Sequence, residues 1–238
     1  YGAVLTSATL KSLGNFNTLQ RETGVPNSAH FLSVAGAFNY GEAAAVRVPP
    51  GAVEGNSIED HSQYIIDNLE SMVEDRAGTL VLFSSKRQME QVYDELPNHL
   101  AKIILIQGQY SNREMVRLHK ERIDQGKTSV LLGLASFAEG VDLPGDYCKH
   151  VVIAKLPFAV PDDPLHEALS EWIEARGGNS FFDISLPIAS LRLIQACGRL
   201  LRTESDTGTV SILDKRLITK RYGTQLLDAL PPFRRELG

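Results

Sequence analysis

The chain has 238 residues, 43% of them hydrophobic and 22% charged, which is enough apolar material for one sizeable core and argues against a disordered chain. A formal net charge of −5 excludes blanket electrostatic attraction to nucleic acid, so any phosphate-binding surface has to be local. No apolar run is long enough to span a bilayer and no secretory leader is legible; Cys148 and Cys197 are far apart, so neither a disulfide framework nor a zinc site is expected and a reducing cytosol fits best.

Tyr1, in place of a Met and followed almost at once by an apolar run, reads as the start of a fragment of a longer protein. Gly2 to Leu10 reads as a buried strand ending in a Thr-Ser turn. The stretch 12–55 is mixed and less regular, with a short strand at His30 to Val34 and a Pro-Pro-Gly break at Pro49 to Gly51. From Ser57 the pattern is regular. An amphipathic helix runs to about Glu74, and Thr79 to Phe83 is a short apolar run of the kind buried on both faces. Ser85 opens a helix with Gln88 at capping-box spacing, and Ser111 opens another with Glu114 at the same spacing. Strands are expected at Lys102 to Ile106, Ser129 to Leu132, His150 to Ala154 and Thr209 to Leu213. A helix carries Trp172, a longer one runs from Pro187 to Arg202, and a helical tail reaches Leu230. Strands alternating with helices predict an α/β fold with a mainly parallel sheet flanked by helices.

The Pro187 to Arg202 helix carries the chemistry. Arg192, Gln195, Arg199 and Arg202 follow at spacings that place them on one helical face, while Leu193, Ile194, Cys197, Leu200 and Leu201 turn largely toward the core. No Asp or Glu occurs from Leu186 to Thr203, so the cationic stripe needs an anion from elsewhere. A guanidinium is a planar fork suited to phosphate oxygens. Gly198 removes a side chain beside the stripe, at a cost of about 1 kcal/mol relative to Ala inside a helix. The plainer reading is a solvated arginine face that meets acids of a neighbouring element.

Gln195-Ala-Cys-Gly-Arg-Leu-Leu-Arg202 resembles motif VI of the superfamily 2 helicases. There the two arginines, matched by Arg199 and Arg202, reach the γ-phosphate of ATP held by the other motor domain, with Gln195 matching the motif glutamine. Three further strings follow the family's order. Leu5-Thr-Ser-Ala-Thr-Leu10 resembles motif III, which implies a coupling role for Ser7, Ala8 and Thr9. Phe83-Ser-Ser85 resembles motif IV, which implies that Ser84, Ser85 and Lys86, reinforced by Arg87, touch a DNA phosphate. Ala135-Ser-Phe-Ala-Glu-Gly-Val-Asp-Leu-Pro-Gly145 resembles motif V of the XPD/DinG group. It implies DNA contact by Ser136 and an ATP-side role for Glu139, Gly140 and Asp142, a role the motif VI resemblance extends to Gly198. Leu213-Asp-Lys-Arg216 and the tail Tyr222 to Pro231 look more like DinG than like eukaryotic XPD.

The resemblance spans nearly the whole chain and implies one RecA-like domain over 1–238, the C-terminal motor half of a bacterial, cytoplasmic, ATP-dependent 5′-to-3′ DNA helicase. The implied partners are single-stranded DNA and the N-terminal RecA-like domain of the same polypeptide, with no membrane and a monomeric state. No G-x-x-x-x-G-K-[ST] string occurs here, so ATP and Mg²⁺ are expected to be held mainly by that other domain. Many relatives carry a four-cysteine iron–sulfur cluster in the first half of the protein; this chain is expected to hold neither cluster nor metal. A role in DNA repair comes from the resemblance alone. Two alternatives stay open: a non-catalytic RecA-like DNA-binding or protein-docking module, and a related motor acting on RNA or fused to an exonuclease. Arg216 has two open roles, an ion pair with Asp214 or a ligand contact. Trp172 and Phe158 could stack on bases, but core positions are expected for both.

Overall fold

The computed structural model describes residues 2–159 and 164–238. Its elements begin with α1 (Asn17–Thr23), α2 (Tyr40–Ala43), β1 (Ala44–Val48) and α3 (Ile58–Asn68), the last tightening into a 3-10 turn at Leu69–Met72. Then come β2 (Gly78–Phe83), α4 (Lys86–Glu95), α5 (Asn98–Ala101), β3 (Ile104–Ile106), α6 (Asn112–Asp124), β4 (Ser129–Leu134) and α7 (Ala135–Glu139). β5 (His150–Ile153) and α8 (Pro164–Glu174) follow, and a π-helical turn at Phe181–Ser185 leads into α9 (Leu186–Cys197). The chain closes with β6 (Gly208–Ile212), α10 (Arg216–Thr219), α11 (Arg221–Ala229) and β7 (Arg234–Leu237).

Local chemistry sets the helix starts. The hydroxyls of Ser57, Ser85 and Ser111 accept the N–H groups of Asp60, Gln88 and Glu114 and so satisfy donors that a helix start leaves unpaired. The Gln88 side chain does not complete a reciprocal box. It turns inward to His61 Nδ1 at 2.8 Å, and His61 Nε2 meets the Leu213 carbonyl at 3.1 Å, which ties α4 and α3 to the end of β6.

Among the described residues seven strands form one all-parallel sheet in the order β3-β4-β2-β5-β6-β1-β7. Period-two alternation splits its side chains between two cores. Leu80, Leu82, Leu131 and Val210 join the α6, α7, α9 and α11 side, while Val81, Phe83, Val130 and Leu132 join the α3 and α4 side. A parallel sheet covered on both faces is what near-continuous apolar strands require. Gly78 opens β2 because a Cβ there would lie 1.9 Å from the Tyr147 carbonyl oxygen. No helix among the described residues is long and apolar enough to cross a membrane.

Five elements differ from the sequence expectation, one of them β7, since that expectation makes Thr209 to Leu213 the last strand. Gly2 to Leu10 forms no strand, and Val4 is 90% exposed; an apolar run becomes a strand only where a neighbour pairs its backbone, and none of the seven strands does so. His30 to Val34 is likewise irregular and largely exposed. Conversely, Ala44–Val48 is a fully paired strand inside the stretch expected to be irregular; its alanines and Arg47 carry little β signal, and Arg47 is matched by Glu236 on the adjacent β7 at 3.2 Å. The Pro187 to Arg202 helix begins earlier, through the π turn, and ends at Cys197. Gly198, at φ −66°, caps it instead of sitting in its interior, and bonds from Arg199 N–H to Ala196 O and from Leu200 N–H to Cys197 O close it.

Three histidines are buried, His61, His119 and His150, and burial lowers the pKa of each. His119 meets Ser129 Oγ at 2.9 Å and the Tyr147 carbonyl at 2.8 Å, and His150 meets Ser211 Oγ at 2.8 Å. Burial pushes the pKa of these two down to about 4 from the usual 6.5. The unfolded chain therefore binds these protons first, so the stability they confer is complete above pH 6.5 and lost as pH falls toward 4. The slope is up to about 1.4 kcal/mol per pH unit for each histidine. Urea midpoints should already fall between about pH 6.5 and about pH 5, the part of this window that lies above the usual carboxylate pKa values; a flat profile there would contradict the buried neutral state.

Candidate functional site

Because every strand runs the same way, the carboxyl ends of β2, β4 and β5 open on one edge of the sheet, the edge at which α/β folds place ligands. Ser84 follows the end of β2, β4 runs into α7, and the chain after β5 leads to Pro157 and Phe158. With α9 they enclose a cavity of about 280 Å³ lined by Ser84, Ser136, Glu139, Phe158, Arg192, Gln195 and Arg199. A second cleft, of about 710 Å³, is lined by Ala8, Thr9, Glu139, Gln195, Gly198, Arg199 and Arg202, with Phe38, Tyr40 and Phe233 as its apolar wall. Glu139, Gln195 and Arg199 line both.

The arginines are presented by the turn after α9, not by a helical stripe. Arg199 is half-buried and donates through Nη1 to the Val141 carbonyl at 3.2 Å, with no ion-pair partner among the described residues. Burial lowers its pKa and the neighbouring Arg202 adds to this, while Glu139 and Asp142 oppose; a guanidinium stays charged regardless. Arg202 does find an anion within the chain: its Nε meets Asp142 Oδ1 at 2.7 Å. That pair is exposed, at 40% and 65% of the two side chains, and such pairs contribute only about 0–1 kcal/mol. Asp142 therefore holds Arg202 in place without holding it tightly.

The other expected site residues fall into three situations. Gln195 Nε2 donates to Thr9 Oγ1 at 3.3 Å, which joins the first and last of the motif strings, and Ser7 Oγ accepts the Thr9 N–H at 3.3 Å. Ser85 is occupied as the α4 cap, and the exposed Lys86 lies 3.6 Å from Glu90. Neither Ser85 nor Lys86 lines the two clefts, whereas Ser84 and Ser136 line the smaller one. Gly140 is exposed and a Cβ there would touch nothing within 4 Å, so any need for glycine lies in a ligand and not in this chain.

Arg216 forms a bidentate ion pair with the fully buried Asp214, the closest approach being 2.6 Å, so its role here is structural. Trp172 is not a core residue: it is 52% exposed and its ring is stacked by Arg176 at 3.9 Å. Phe158 is partly buried between Phe181 and Tyr222. Both cysteines are buried thiols, pushed up to about 12 by burial. Among the described residues no three His, Cys, Asp or Glu side chains group as metal ligands.

Sequence reasoning missed Arg192 and Phe158 as cavity walls and Asp206 altogether. The signal for Arg192 was its place in the stripe. Asp206 had only its Thr-x-x-Asp spacing, a turn pattern too common to single it out.

A helicase C-terminal domain model matches residues 69–233. The chain belongs to this family. This helicase C-terminal domain is 44% identical over 240 residues to the ATP-dependent DNA helicase DinG of Photobacterium profundum, covering 98% of the chain and 34% of that protein. It is 40% identical over 237 residues to the ATP-dependent DNA helicase DinG of Escherichia coli, covering 97% and 33%. The chain thus spans about a third of the length of the curated relatives it matches. Among solved structures, an XPD helicase superposes with a TM-score of 0.61 at 19% identity over 82% of this chain and 36% of the other, a likeness of fold. The RecA-like, three-layer architecture expected from the sequence is the one observed.

Proposed function

We propose that residues 1–238 form the C-terminal motor domain of a DinG-type, ATP-dependent DNA helicase. It places Arg199 and Arg202 against the γ-phosphate of ATP held, with Mg²⁺, by an N-terminal RecA-like domain of the same polypeptide. The observation that carries this reading is the shared wall. Arg199, Gln195 and Glu139 face both the cleft bearing Arg202 and Gly198 and the cavity bearing Ser84 and Ser136. A nucleotide on one side and a DNA backbone on the other would then report to the same three side chains. Arg199 supplies charge to the transferring phosphoryl group, Arg202 exchanges Asp142 for phosphate, and Gln195 passes the change to Thr9. Ser84, Ser136 and the α4 start, with Ser85, Lys86 and Arg87, grip single-stranded DNA through its phosphates. Travel in the 5′-to-3′ sense, a monomeric state and a cytoplasmic setting complete the proposal. Metal ligation is assigned to the other domain on the family resemblance alone.

The isolated domain is expected to hydrolyse no ATP and to bind single-stranded DNA weakly, with affinity falling as salt rises. Fluorescence anisotropy of a labelled oligonucleotide at two salt concentrations, beside a phosphate-release assay, checks both. Salt-insensitive binding would argue against phosphate-led contact, and metal-dependent hydrolysis by this domain alone would contradict the half-site.

A further inference from the structure

We propose that Asp206 is a positioning residue for Arg202: one buried carboxylate ties the turn that presents this arginine to the loop that presents its partner Asp142. The inference rests on the phosphate-binding role proposed for Arg202. Asp206 is 3% exposed. Its Oδ2 accepts the backbone N–H groups of Arg202 at 2.7 Å and Thr203 at 2.8 Å, while its Oδ1 accepts the Thr203 hydroxyl at 2.6 Å and the Gly145 N–H at 3.0 Å.

A local turn cap needs only the bonds to residues 202 and 203. The bond to Gly145 reaches a residue 61 positions away in sequence, at the end of the Ala135 to Gly145 segment and three residues past Asp142. Gly145 adopts φ +65°, a conformation that glycine takes without strain and that sets the direction of its N–H. The two segments that meet at the Arg202–Asp142 pair and at the Arg199–Val141 bond are therefore also joined at their base, through backbone N–H groups of both. The exposed ion pair is too weak to fix that geometry alone. Burial works against the Asp206 charge, but the donors from Thr203, Arg202 and Gly145 hold its carboxyl below the usual range, so it stays an acceptor. With the Arg202 amide anchored, exchange of Asp142 for phosphate moves the side chain and leaves the backbone where it is, which is the preorganisation that rate depends on.

The test is a double-mutant cycle in the full-length protein, read as DNA-stimulated ATP turnover. In Asp206→Asn the amide keeps one acceptor for the turn and sets an NH₂ group against the Gly145 N–H. The expected result is a loss in kcat of about 10- to 100-fold, an unchanged KM for ATP, and no further loss when the change is added to Arg202→Ala. A merely structural aspartate would lower the melting temperature and leave kcat per folded molecule intact, and that pattern would overturn the inference. So would a full additional loss on the Arg202→Ala background. Wild-type turnover by Arg202→Ala itself would remove the phosphate role and this inference with it, whereas an impaired Arg202→Ala with an additive Asp206→Asn removes the inference alone. Should Asp206→Asn not fold, the exposed Thr203→Val, which deletes only the hydroxyl bond, enters the same cycle. A loss that vanishes on Arg202→Ala supports positioning; wild-type turnover, or a loss that persists, overturns it.

Discussion

Arg199→Ala in the full-length protein should lower ATP turnover by about 10³-fold while leaving single-stranded DNA binding largely intact. The size follows from what the side chain does: a preorganised guanidinium placed where charge spreads on a transferring phosphoryl group acts mainly in the transition state. The direction of the second clause follows from geometry. Arg199 donates to the Val141 carbonyl and shares the wall of the smaller cavity with Ser84 and Ser136, so its loss opens space without removing the α4 start or its basic residues. Steady-state hydrolysis and an anisotropy titration on the same preparation check the pair of effects. Turnover near wild type would remove the finger assignment, and a parallel collapse of DNA binding would indicate that the cavity wall had been damaged.

Asp214→Ala should destabilise the fold by about 3–5 kcal/mol, the loss expected when one member of a buried ion pair is deleted. Asp214 has no solvent exposure, and its carboxylate accepts the Leu156 N–H at 3.1 Å and the Arg216 N–H at 3.1 Å besides the Arg216 guanidinium. Burial opposes ionisation, yet these donors hold the carboxyl below its usual range. Its removal strands a guanidinium of which 15% of the side chain is exposed and two backbone donors, one in the loop after β5 and one at the start of α10. Asp214→Ala/Arg216→Ala should cost less than the sum of the two single changes, because the orphaned charge disappears with its partner. Urea unfolding of the four proteins measures this; additive losses would mean that the two residues stabilise the fold independently.

The parts legible in the sequence are those in which local chemistry and burial agree. The TLVLF run at Thr79 to Phe83 is buried on both faces because helices cover each side of this central strand. The serines at positions 57, 85 and 111 cap their helices through their hydroxyls, although Gln88 and Glu114 turn to His61 and Arg117 instead of closing the capping boxes. The failures share one cause, that pairing is not local. Ala44–Val48 becomes a strand because β6 and β7 lie beside it, whereas Val4 and Leu5, with a stronger apolar pattern, stay exposed. The site shows the same division. Gln195, Arg199 and Arg202 are legible as a group, but helical periodicity misplaces them, since Gly198 ends α9 before the two arginines. The contacts that matter to them, Asp142 to Arg202 and Asp206 to Gly145, span some 60 residues, beyond any periodic signal.

The most direct measurement is a structure of the full-length protein bound to ADP, Mg²⁺, a fluoride mimic of the transferring phosphoryl group and single-stranded DNA. The predicted result is the Arg199 guanidinium, joined by Arg202 released from Asp142, within about 3 Å of the mimic's oxygen or fluorine atoms. Arg199 still bonded to the Val141 carbonyl and Arg202 still paired with Asp142, with the nucleotide complete and both groups turned away from it, would contradict the proposed half-site.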